Sequence, residues 1–147
     1  MNPISMKTTK IIGLSEMLFA AGIILFWTFF FVAGPADIPD PRFQEIYLAF
    51  ETSFPAADGL LALLLFCGGI GLWRKALAGW FFSLMAGSML IFLGMLDVTF
   101  NIRQGIYRLA PGDTVLNLSL NGLCLAGGLF LVWSAWKFGF KGASKNG

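Results

Sequence analysis

"FPAADGLLALLLFCGGIGLWRKALAGWFFSLMAGSMLIFLGMLDV", residues 54–98, decides the fold. It holds two apolar runs, Phe54–Trp73 and Leu77–Val98, separated only by Arg74, Lys75 and Ala76. A helix needs ~20 apolar residues to cross a bilayer, and each run supplies about that many. Two such spans joined by three residues have to lie side by side and antiparallel. Outward from this hairpin stand two further runs of the same kind, Ile11–Ala33 and Val115–Phe138. The reading is an all-α, four-span transmembrane helix bundle, taken as a single integral membrane domain over residues 1–147.

Composition agrees. The chain is 57% hydrophobic and 12% charged, whereas a soluble domain carries about 25% charge. Mean hydropathy is +0.77. The net charge of +2 is small and scattered, which argues against nucleic acid as a partner. Histidine is absent, which removes the usual axial ligand of a b-type haem and the common ligand of zinc and copper. Any chemistry would fall to carboxylates, Tyr, Lys, Cys or bound water, and no cofactor is specified. No metal site is expected. Cys67 and Cys124 form no C-x-x-C and fall at different expected depths, so they read as small apolar residues rather than a disulfide.

The first run exceeds the 7–15 residues of a signal h-region and carries Glu16, so it reads as a retained span. Lys7, Lys10, Arg74, Lys75, Lys137, Lys141 and Lys145 fall at one end of the bundle; Arg42, Arg103 and Arg108 fall at the other. By the positive-inside rule both termini face the cytoplasm, which fits a plasma (inner) membrane. Every acid except Glu16 lies at or beyond the outer boundary. In the first outer loop, Asp40-Pro41 is a helix start. Phe43, Ile46, Tyr47 and Phe50 follow at helical spacing, predicting a short amphipathic helix that caps the bundle or anchors in the interface. In the second outer loop, Pro111-Gly112 reads as a turn and Asp113 as the N-cap of the fourth span.

Each span carries a stripe of small or polar residues, the pattern by which membrane helices meet. The stripes are Gly13, Glu16, Ala20 and Ile24; Asp58, Ala62, Leu65 and Gly69; Ser83, Ala86, Leu90, Leu93, Asp97 and Asn101; and Asn117, Asn121, Cys124, Gly128 and Ala135. Turned towards one another, they bring Asp58, Asp97, Asn101, Asn117 and Asn121 to one level in the outer third of the membrane. Glu51 stands at the lip, and Arg103 is near enough in sequence to be the counter-ion of Asp97. An ionised acid within a span costs at least ~2.5–3.5 kcal/mol on insertion scales, so something has to offset it. Either the Asn amides and Arg103 satisfy the acids structurally, or the cluster is a pocket for a hard cation or for a ligand bearing an amine or hydroxyl. Glu16 stands apart, near the cytoplasmic side. It either snorkels towards Lys7, Lys10 or Lys137, or serves as a proton- or cation-coupling site.

No family pattern is carried through the chain. A glutamate in the first of four spans, "GLSEMLFAAGI", is shared with the small multidrug resistance transporters, but those chains are shorter and the rest of their pattern is missing. The C-x-x-C of vitamin K epoxide reductase-like proteins and the histidine of sterol isomerase-like proteins are both missing. Three functions fit the residues: a binding or accessory membrane protein with an outward-facing polar cluster; an enzyme acting on a lipid-like substrate through paired carboxylates; or a small proton- or cation-coupled transporter. The expected partners are the lipid bilayer, a small lipophilic ligand, and either a second copy of the chain or a larger membrane complex.

Overall fold

A computed structural model describes residues 5–34, 41–108 and 111–140. Among them every regular element is helical: α1 (Met6–Ala33), α2 (Pro41–Glu51), α3 (Pro55–Trp73), α4 (Leu77–Gln104) and α5 (Pro111–Ser134). A 3-10 turn (Ile106–Arg108) precedes α5, and a π-helical turn (Ala135–Phe140) extends it. Four helices are long and apolar enough to cross a membrane, and α2 runs almost without a break into the second of them.

The helix ends follow local chemistry. Ser5 caps α1, its Oγ accepting from the Lys7 amide at 3.3 Å. Pro55 opens α3, where its missing N–H is no loss. Gly105 closes α4 in the left-handed conformation, φ 69°, a shape glycine adopts without steric cost. That closure comes later than the expected end at Val98, so Asn101 and Arg103 ride on the helix itself. The α5 helix starts at Pro111, so Asp113 lies in its first turn and not at the N-cap. Asp40 lies outside the described residues, as does the side chain of Phe43.

Packing is inside-out relative to a soluble bundle. Large apolar residues such as Leu18, Phe29, Val32, Phe92 and Leu129 are exposed, while Gly, Ala and Ser fill the contacts. The α1 helix packs on α3, α3 on α4, and α4 on α5. Each of these pairs meets at a glycine couple. A Cβ added at Gly13 would lie 2.7 Å from the Gly69 carbonyl oxygen, one at Gly71 would lie 2.5 Å from Gly79 Cα, and one at Gly128 would lie 2.7 Å from the Gly87 carbonyl oxygen. Without a strong hydrophobic drive between helices in lipid, such close backbone approach supplies the packing energy.

The buried seams repeat in steps of three and four: Ile12 and Gly13, Glu16, Ala20, Trp27 on α1; Leu61, Leu65, Gly68, Leu72 on α3; Ser83, Ala86, Leu90, Leu93 on α4. This seven-residue repeat is that of helices that coil around each other. It corrects the α1 stripe. Ile24 is exposed, and the seam passes instead through Ile23 to Trp27.

Candidate functional site

Three acids converge at the end of the bundle opposite the termini. Asp58 sits in the first turn of α3, where the helix dipole favours a negative charge. Its Oδ2 accepts a hydrogen bond from the Trp27 indole Nε1 at 2.9 Å, bridging α1 and α3. Asp97, near the end of α4, has Asn101 one turn along its own helix and Asn121 of α5 as polar neighbours. Glu51, the last residue of α2, is half-buried, is hydrogen-bonded by Tyr47, and stands within electrostatic range of both Asp97 and Asp58. Asp58 and Asp97 repel each other in turn, and the Cys124 thiol of α5 lies near both.

The surrounding elements hold these acids in place. Asn121 Nδ2 donates to the Tyr107 hydroxyl at 2.9 Å, and Thr114 Oγ1 donates to the Tyr107 carbonyl at 2.7 Å. The 3-10 turn is thereby tied to α5 on both sides of Tyr107. The α2 helix is fixed by Phe50, which stacks on Phe100 of α4 with centroids 3.6 Å apart and rings 1° from parallel. Its inward residues are Tyr47, Leu48, Phe50 and Glu51, whereas Ile46, expected on the apolar face, is exposed.

Two expected features differ. Arg103 is exposed, and the polar and charged neighbours of Asp97 are Asn121, Asn101 and Asp58; the arginine does not serve as its counter-ion. The reason is helical phase: Arg103 is six residues from Asp97, about 600° of rotation at 100° per residue, which turns it well away from the seam. Asn117 is half-buried one turn before Asn121 and is not among the neighbours of Asp97. Among the described side chains, no Lys or Arg is an interaction partner of the three carboxylates. Asn101 is buried, with Asp97 as its hydrogen-bonding neighbour. Among the described residues no trio of Cys, Asp or Glu is arranged to hold a metal ion.

An apolar groove of about 280 Å³ runs between α1 and α3 at the same level, lined by Ile23, Trp27, Phe31, Pro55, Gly59 and Ala62 among others. Trp27 belongs to both features: its ring walls the groove and its N–H holds Asp58. A Cβ at Gly59 would meet nothing within 4 Å, so that wall of the groove is open space.

Glu16 lies at the other end. It is 2% exposed and does not snorkel. Lys10 instead rests over the Trp73 ring at 5.1 Å and Lys137 over the Trp133 ring at 4.5 Å. Cys67 and Cys124 are free thiols.

No family model, no curated protein and no solved structure matches this chain.

Proposed function

We propose that this is a membrane binding protein whose outer polar cluster takes a lipophilic amine. The apolar tail lies in the α1–α3 groove, and the protonated amine reaches Glu51, Asp58 and Asp97 past the edge of Trp27. Both termini face the cytoplasm of the plasma (inner) membrane, as the placement of the lysines favours, and the site opens to the outside.

The observation that carries this reading is the convergence of three carboxylates from α2, α3 and α4 with no basic partner among the described side chains. Mutual repulsion within a weakly solvated site is unfavourable, and a bound cation relieves it. An apolar slot bordered by a few convergent polar groups is the ordinary form of a small-molecule site.

The test compares dodecylamine with dodecanol, which share a tail and differ in the charged head, in detergent-solubilised protein. The amine should raise the melting temperature and the alcohol should not. Gly59→Leu, which fills the groove from a position where a Cβ meets nothing within 4 Å, should abolish the shift while leaving the unliganded melting temperature in place. Equal shifts from both probes, or a full shift in Gly59→Leu, would count against the reading.

A further inference from the structure

Glu16 is the most deeply buried carboxylate among the described residues, and its side-chain hydrogen-bonding neighbour is Ser83. It lies on α1 six residues beyond Lys10, about 9 Å further along the helix. Its neighbours come from two further helices. Gly68 of α3 leaves a gap in front of it: a Cβ there would collide with Glu16 Oε2 and come within 3.2 Å of Ser83 Oγ on α4. The carboxylate and the serine hydroxyl therefore border the same space, which exists because position 68 has no side chain.

The Ser83 hydroxyl lies 2.9 Å from the Gly79 carbonyl and is also a hydrogen-bonding neighbour of Glu16. Its single proton cannot serve both acceptors at once. Either a proton on Glu16 or a small cation would satisfy both. Ser134 of α5 is fully buried, and its Oγ lacks a partner. Gly139 packs on Trp80 and Gly128 on Gly87, and this antiparallel register puts Ser134 and Ala135 opposite Ser83. No charge from the packed elements compensates: the nearby lysines, Lys10 and Lys137, lie over aromatic rings, and Arg74 and Lys75 are exposed. An uncompensated carboxylate here would bear the cost of intramembrane charge.

We propose that Glu16, Ser83 and the gap at Gly68 form a second, inner site that holds a proton exchangeable for a small monovalent cation, Na⁺ or Li⁺, reached from the end carrying the termini. It is independent of the outer cluster.

The test uses dicyclohexylcarbodiimide, a lipid-soluble reagent for protonated carboxyls. The acid O–H adds across one N=C bond, the proton going to nitrogen; the acyl group then migrates from oxygen to nitrogen, giving a stable N-acylurea with no leaving group. Peptide mass mapping of the wild-type protein should find the adduct on Glu16. Labelling should fall as pH rises. It should fall several-fold in NaCl or LiCl relative to choline chloride at equal ionic strength, and Gly68→Ala, which fills the gap, should remove that protection. A Glu16 that is never labelled, or one labelled equally in all three salts, would overturn the proposal. Binding of dodecylamine at the outer cluster should be unchanged in Glu16→Gln, so failure of one site is distinguishable from failure of the other.

Discussion

The indole N–H of Trp27 donates to Oδ2 of Asp58 at 2.9 Å, joining α1 to α3 at the level where Glu51 and Asp97 also meet. This bond connects the apolar groove to the acidic cluster.

Trp27→Phe keeps the ring and removes the donor. A hydrogen bond to a charged group is worth roughly 1.5–3 kcal/mol, so the variant should melt several degrees below wild type. Asp58→Asn on that background should add less than it does alone, because the shared bond is already gone. Fully additive losses in the double variant would show that the pair is not coupled.

The glycine couples predict a sharp positional contrast on one helix. Gly128 abuts Gly87 and Ile91, whereas a Cβ at the adjacent Gly127 meets nothing within 4 Å. Gly128→Leu should force α4 and α5 apart, at a cost of at least about 1–3 kcal/mol from overpacking. Gly127→Leu should fold and melt like wild type. Detergent melting curves decide it, and the same outcome for both variants would mean that the α4–α5 face is misassigned.

Phe50 holds α2 against the bundle through Phe100. A parallel stack this close gains less than the ~0.5–1.5 kcal/mol of offset and edge-to-face pairs, so the buried area of the two rings supplies most of its worth. Phe50→Ala should therefore loosen the cap with little effect on the four long helices. Hydrogen exchange should rise across Gln44–Glu51 and stay unchanged in α4. Uniformly raised exchange would place Phe50 in the core of the fold.

Much of this arrangement was legible in the residues. Helical spacing placed Ser83, Ala86 and Leu90 on one face of α4 and Gly128 on the inner face of α5, because only small side chains permit such approach in lipid. It also brought Asp58, Asp97 and Asn121 to one level, since hairpin connectivity fixes depth. The misses have definite causes. Ile24 was placed on the seam because a straight 3.6-residue helix drifts away from a seven-residue repeat, and the coiled pair follows the repeat to Trp27. Trp27 itself, within "FWTFFF", reads equally as an aromatic facing lipid or a partner helix, and nothing local reveals that its N–H finds a carboxylate 31 positions away. Arg103 looked like a counter-ion because sequence distance says nothing of rotation about the helix. The role of Tyr107 depends on the turn that follows Gly105, a tertiary detail. Heptad phase would have recovered Trp27; no comparable signal marks Tyr107.

The central claim is that the cluster of Glu51, Asp58 and Asp97 is a ligand site. Its most direct test is native mass spectrometry of the protein released from mild detergent, comparing wild type with Asp97→Asn. The account predicts a reproducible adduct of an amine-bearing lipophile on the wild-type chain, lost or strongly reduced in the variant while the chain remains folded. A wild-type chain that carries no adduct, or an adduct retained equally by Asp97→Asn, would contradict it and return the three acids to a purely structural role.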